Sequence, residues 1–343
     1  MNLGVIIFPF HKGSKAALAN LIEIISKFSI KINVVTGNIE PVCLNFDSKK
    51  TQLTHYMVDH KGGRNLLSRI ARYILTQIKI TFFVTLKAKD SKLWLFFLGG
   101  ENLILPAIFI KLFRKKFILI LGGSSADIAK FSKDKIYFIL INIFKLTCCL
   151  SDGIILYSPS LIHEWNLEKY CHKISIAHEH FLDFDKFKIE KSLGERGNLV
   201  GYVGRLSEEK GTLNFLEAIP KVLEARDEVT FLIGGDGQMR PQVEECANKL
   251  DGKVKFVGWI SHDELPRYLN ELKLLVLPSY TEGLPNIMLE AMACGTPVLA
   301  TPVGAIPDII KDGETGFIME NNSPECIAQN IIRALNHPNL ERI

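Results

Sequence analysis

Two carboxylates, Glu282 and Glu290, bracket the run Gly283-Leu284-Pro285-Asn286-Ile287-Met288-Leu289. Pro285 suits a helix start, Ile287, Leu289, Met292 and Ala293 recur at helical spacing, and Gly295 with Pro297 ends the pattern. The spacing predicts a loop carrying Glu282 and a short helix carrying Glu290 about two turns in, its side chain tilted back toward the helix start. Unpaired N–H groups at a helix mouth favour an anion, and a carboxylate nearby is an acceptor for sugar hydroxyls. A phosphorylated sugar meets both demands. Gly204-Arg205-Leu206-Ser207-Glu208-Glu209-Lys210-Gly211 places a guanidinium and an ammonium on one loop after an apolar run, suited to a diphosphate. Read alone, two basic residues in a loop are ordinary surface charges. Gly234-Gly235-Asp236-Gly237 is a tight turn or, at Gly235, room for a ligand's flat edge, and it lacks the dinucleotide GxGxxG spacing. Phe256 to Ile260 ends a further strand, where the backbone and Ile260 meet either a nucleobase or the core.

The elements that must position these groups alternate along the chain. Apolar runs at 3–8, 32–36, 56–59, 94–98, 117–121, 153–157 and 173–177, with helical patterns after most of them, predict one doubly wound α/β unit. A second set of runs at 199–204, 229–234, 254–257, 274–277 and 297–300, with a short edge strand at 317–319, predicts another. The polar stretch Lys188 to Asn198 reads as the linker, and the domains are set at 1–190 and 191–343. At 343 residues and 47% hydrophobic content the chain can bury two cores.

Charge separates the halves. Residues 1–190 carry 26 Lys/Arg against 15 Asp/Glu, and residues 191–343 carry 15 against 22. The basic half interleaves cations with apolar residues, as in Arg69 to Lys89 and in Lys111-Leu-Phe-Arg-Lys-Lys-Phe117, a composition that suits an anionic membrane surface as well as the edges of ordinary strands and helices. The greasy stretches are broken by Lys111, Arg114 to Lys116 and Lys145, so no spanning helix is expected. Seven cysteines without CxxC pairs, and a first segment without a basic leader, fit a reducing cytoplasm, peripheral at the inner face of the membrane if that surface is used. No nucleic-acid partner is expected.

Gly201 to Gly211, Gly234 to Gly237, Val257 to Ile260 and above all Glu282-x7-Glu290 resemble the nucleotide-sugar-binding half of the family-4 retaining glycosyltransferases, glycosyltransferase group 1, of GT-B fold. The resemblance covers about 198–336, including Gly295-Thr-Pro-Val-Leu-Ala-Thr301 and Gly304 to Phe317. It implies two Rossmann-like doubly wound domains facing across a cleft, a nucleotide-diphosphate-sugar donor, a glycan or lipid-linked acceptor in cell-surface polysaccharide or glycolipid synthesis, retained anomeric configuration, and no metal or other cofactor. Carried over, Arg205 and Lys210 would hold the diphosphate and Glu282 the sugar hydroxyls, as the catalytic set. Glu290 would bind ribose, Ile260 the base, Gly283 and the backbone of Leu284, Pro285, Asn286 and Ile287 the sugar and phosphates, and Gly13 the phosphate from the first half. Where many members have His-Gly, this chain reads Gly122-Gly123-Ser124-Ser125; where they have Pro-Asn-Gly it reads Ala177-His178-Glu179-His180. Ser124, Ser125, His178 and His180 are therefore the acceptor-side candidates, and a His-x-His metal pair lacks a third ligand. An inactive sugar-nucleotide-binding protein and a GT-B epimerase are the alternatives.

Overall fold

A computed structural model describes residues 1–8, 14–37, 51–60, 63, 65–123, 125–131, 134–178, 181–250 and 252–343. The chain divides into two compact units, Met1–Phe181 and Leu182–Ile343.

The first unit is a seven-stranded parallel sheet. Its strands are β1 (Asn2–Ile7), β2 (Lys31–Gly37), β3 (Gln52–Val58), β4 (Leu93–Phe97), β5 (Lys116–Leu121), β6 (Gly153–Leu156) and β7 (Ile174–Ile176), in the order β3-β2-β1-β4-β5-β6-β7. The central strands β1, β4 and β5 read as near-continuous apolar runs, as a parallel sheet covered on both faces requires, whereas the edge strand β3 is mixed and mostly half-buried. Gly4 in β1 has a specific reason: the Trp94 indole lies over it, and a Cβ there would stand 2.2 Å from the ring. Helices Leu66–Phe82, Ile104–Leu112 and Tyr137–Leu150 pack side by side in this unit.

The second unit repeats the plan with β8 (Leu199–Val203), β9 (Thr230–Gly234), β10 (Val254–Gly258), β11 (Leu274–Leu277), β12 (Val298–Ala300) and β13 (Phe317–Ile318), ordered β10-β9-β8-β11-β12-β13. Its core is built on Tyr202, Phe215, Phe231, Ile233, Val276 and Phe317. In both sheets the order reverses beside the first strand of the unit, the switch point where open α/β sheets bind ligands. The architecture is GT-B: α/β, with two Rossmann-like doubly wound units.

Residues 182–190 pack with the second unit, nine residues before the sequence-derived boundary. Asn270 accounts for this: its Oδ1 accepts from the Glu190 N–H at 2.8 Å and its amide donates to the Lys188 carbonyl at 3.0 Å. Arg196, buried, continues the anchoring by donating to the carbonyls of Lys191, Leu272 and Cys294 and to Thr296 Oγ1. A polar, glycine-containing stretch reads as a linker, yet its polar groups are spent on fixed partners.

Candidate functional site

The second unit holds a cavity of about 210 Å³ at the carboxyl ends of β8 and β11. Its walls include Gly204, Lys210, Ser279, Glu282, Pro285, Asn286 and Ile287. The helix Asn286–Ala293, with Pro285 as its N-cap, therefore opens on this cavity, and its first turn supplies partial positive charge there. The helix starts where Pro285 suggested, and Glu290 lies just over one turn into it, not the two turns expected.

Lys210 and Glu282 meet on the cavity wall, Nζ to Oε2 at 2.7 Å, with side chains 25% and 9% exposed. Ser279 Oγ donates to the other carboxylate oxygen at 2.7 Å. The pair thus presents one cation and one anion to whatever enters, with the carboxylate held from two sides. Ala305 N–H donates to the Gly283 carbonyl at 2.8 Å and fixes the loop from behind. Gly304 makes that approach feasible: at φ +62° its absent Cβ would sit 2.5 Å from the Glu282 carbonyl.

Arg205 turns elsewhere. Its Nη1 is 3.2 Å from Glu209 Oε1, an oxygen that also accepts from Ser207 Oγ at 2.7 Å. Tyr202, buried in the core beside this loop, donates to the Arg205 carbonyl at 2.9 Å, and burial raises its phenol pKa. The loop after β8 is therefore held by its own polar groups, with the guanidinium at its outer side.

Glu290 accepts from His262. The Lys186 ammonium lies 3.1 Å from His262 Nδ1 and can only donate, so Nδ1 accepts and the Nε2 proton points to Glu290 Oε1 at 3.0 Å. Ile260, half-buried, covers Gly234, where an added Cβ would lie 2.4 Å from its Cδ1. At Gly235 the open space is already filled, because a Cβ there would stand 1.8 Å from the Gly204 carbonyl at φ +138°. Gly204, on the cavity wall, has nothing within 4 Å of its missing side chain.

In the first unit, Ser125 donates to Oε1 of Glu101 at 2.7 Å. Glu101 is buried after β4, and burial raises its carboxyl pKa against the opposing pull of the Ser125 hydrogen bond. His178 is exposed, beyond β7. Gly13, Ser124 and His180 lie outside the described residues. Sequence reasoning missed Glu101, Ser279 and His262. Glu101 had a signal, an acidic residue beside Gly99-Gly100 at the end of an apolar run; Ser279 and His262 had none of their own, since each matters through a contact that only the fold shows, with Glu282 and Glu290 respectively. Among the described residues no three His, Cys, Asp or Glu side chains cluster to hold a metal.

Comparison with known proteins places a family on the second unit. Residues 197–337, less than half of the chain, match the model described as Glycosyl transferases group 1. An alpha-D-kanosaminyltransferase of Streptomyces kanamyceticus is 33% identical over 172 residues, 48% of this chain and 45% of that protein. The capsular polysaccharide biosynthesis glycosyltransferase CapM of Staphylococcus aureus is 28% identical over 219 residues, 60% of this chain and 57% of that one. The chain thus spans about half the length of these relatives. The crystal structure of Anabaena HepE in complex with UDP-glucose superposes with a TM-score of 0.72 at 16% identity, covering all of this chain and 92% of that one.

Proposed function

From a second unit that carries the Glycosyl transferases group 1 match on a GT-B fold, we propose that this protein moves a sugar from a nucleotide-diphosphate-sugar donor to a glycan or lipid-linked acceptor, with retained configuration and without a metal. The observation that carries the reading is the Lys210–Glu282 pair on the wall of a cavity entered by a helix N-terminus. Lys210 and the first amides of the helix meet the diphosphate, and Glu282 accepts from the sugar hydroxyls. Arg205 swings from Glu209 to the outer phosphate, Gly204 leaves room for the sugar nucleotide, and Glu290, oriented by His262, takes the ribose hydroxyls. Ile260 packs on the base.

In the reaction the bond between the sugar's anomeric carbon and the phosphate oxygen breaks, and a bond from an acceptor oxygen forms on the same face. The acceptor's proton passes to the departing phosphate oxygen, so no protein nucleophile is needed. Lys210 and Arg205 offset the charge that grows on the leaving diphosphate, the task a divalent ion performs elsewhere. Ser125 and His178 are the acceptor-side contacts in this reading, and the free thiols of Cys148, Cys294 and Cys326 fit a reducing cytoplasm. The likeness to CapM supports a polysaccharide pathway, and the HepE complex supports a UDP-sugar among the donors.

A thermal-shift screen over UDP-, GDP- and ADP-sugars tests the donor, because a ligand bound only by the folded state raises the melting temperature by mass action. One class is expected to shift the melt, and transfer of its sugar is expected to survive a chelator. No shift with any donor, or activity lost to the chelator and restored by manganese, would sink the proposal. Sugar isomerisation without an acceptor would favour the epimerase instead.

A further inference from the structure

The helix Leu66–Phe82 is inverted relative to an ordinary surface helix. It buries Thr76, Gln77 and Thr81 along with Ile80, while Leu67, Ile74, Leu75, Ile78 and Phe82 are exposed, Leu67 at 79%. Leu86, past the helix end, extends the exposed row by one more turn. The buried polar groups are paired: Gln77 Oε1 accepts from the Leu105 N–H at 2.9 Å, Thr76 Oγ1 meets His60 Nδ1 at 2.8 Å, and Thr81 Oγ1 donates to the Gln77 carbonyl at 2.8 Å. The Gln77–Leu105 and Thr76–His60 bonds reach outside the helix and fix its orientation, because turning it over would break both, while the Thr81 bond closes within the helix. In water an amphipathic helix faces its apolar stripe inward, and a contiguous apolar surface marks a site of contact.

The neighbouring helices continue the pattern. Ile104–Leu112 packs beside this helix and exposes Phe109, Leu112 and the following Phe113; Tyr137–Leu150 packs beside that one and exposes Phe138, Ile139 and Leu146. Among the described residues the first unit exposes twenty large apolar side chains, and the second only Phe184, Ile189 and Trp259. The occupant is written in the charges. Residues 66–82, 104–116 and 137–150 contain Arg69, Arg72, Lys79, Lys111, Arg114, Lys115, Lys116 and Lys145, and no Asp or Glu. Arg69 and Lys111 pair with Asp134 and Asp152 of the adjoining segments, which leaves the layer basic. A second copy docking through the same face would set cation against cation. No helix among the described residues is long and apolar enough to cross a membrane.

We propose that this three-helix layer of the first unit docks in the plane of an anionic bilayer, the apolar row entering the boundary between headgroups and chains and the cations meeting lipid phosphates and carboxylates. The docking goes beyond the proposed transfer reaction and stands or falls independently of donor binding.

The full chain is sedimented with phosphatidylcholine vesicles with and without phosphatidylserine, at low and high salt. Two combined variants accompany it: Leu75→Ser with Ile78→Ser and Phe82→Ser, and Lys79→Ser with Arg114→Ser and Lys116→Ser. The wild type is expected on anionic vesicles only, released by salt. Three cations lost from such a surface weaken partition by about a hundredfold, and the apolar variant is expected to stay in the supernatant. All six side chains are solvent-facing, so both variants should keep the wild-type melting temperature and nucleotide response; Ile78→Glu alone replaces any variant that does not. No binding to anionic vesicles, equal binding to neutral ones, or undiminished binding of the apolar variant would overturn the proposal. So would self-association through these residues in a wild type that ignores vesicles.

Discussion

Changing Glu282 to Gln should separate the two jobs assigned to the cavity wall. In the unliganded protein the Lys210 ammonium is engaged by the Glu282 carboxylate at 2.7 Å, so an incoming diphosphate must share that cation and approach a fixed negative charge. At an effective dielectric constant of about 20, two such charges attract by several kcal/mol. The 25% exposure of the Lys210 side chain lets water screen part of this, and about 1–2 kcal/mol remains as competition with the ligand. Removing the charge while keeping the shape frees Lys210, and the Ser279 hydrogen bond survives on the amide oxygen. Free nucleoside diphosphate should then bind about tenfold tighter, the equivalent of roughly 1.4 kcal/mol. Turnover should fall by about one to two orders of magnitude, since an amide accepts hydrogen bonds from sugar hydroxyls less strongly than a carboxylate. Calorimetric titration with the nucleotide found by thermal shift, together with steady-state kinetics, reads both numbers. Unchanged or weaker nucleotide affinity combined with intact turnover would refute the assignment, because Glu282 would then neither compete for Lys210 nor touch the sugar.

Two glycines offer a contrast in which one substitution tests folding and the other the site. Gly235→Ala places a methyl 1.8 Å from the Gly204 carbonyl at φ +138°, and a urea melt should show a loss of about 2–4 kcal/mol. Gly204→Ala has open space around its Cβ but projects at the cavity wall; its melt should be unchanged, with nucleotide affinity down about tenfold or more. Glu101 sets a pH dependence. Burial raises its folded pKa above the ordinary 4.5, so between the two values the folded state keeps a proton that the unfolded state has released, and stability falls as pH rises through that window. The advantage of Glu101→Gln over wild type in parallel melts should therefore be absent at acid pH, grow as pH rises above about 4.5 and level off once Glu101 ionises in the fold. A constant difference across that range would mean that Glu101 is not held protonated by its surroundings.

The central strands were legible because buried parallel strands need apolar side chains on both faces, whereas the mixed edge strand β3 (Gln52–Val58) begins four residues before the expected run at 56–59. The runs at 3–8 and 94–98 appear as β1 and β4 within a residue at each end. Positions on loops were legible for a related reason: Lys210, Glu282, Pro285 and Gly304 lie where a strand has just ended and the backbone must turn. Partnerships were not. Nothing local says that Lys210 pairs with Glu282, remote in the chain, while Arg205 takes its neighbour Glu209, or that the space beside Gly235 is filled while that beside Gly204 is open. Such facts follow from how β8, β9 and β11 line up, and register is a property of the folded sheet. The helix Leu66–Phe82 shows the limit most clearly. Its periodicity separates Leu67, Leu75, Ile78 and Phe82 from Thr76, Gln77 and Thr81, but period alone does not say which side faces the protein. The usual rule would turn the leucines inward. In the fold the polar side is held inward by Gln77 at the backbone of Leu105 on the next helix and by Thr76 at His60, and an orphaned amide in the interior would cost about as much as one exposed leucine loses. With the polar side committed to those partners, the apolar side faces outward beside basic residues, which is the observation on which the proposed docking to an anionic surface rests.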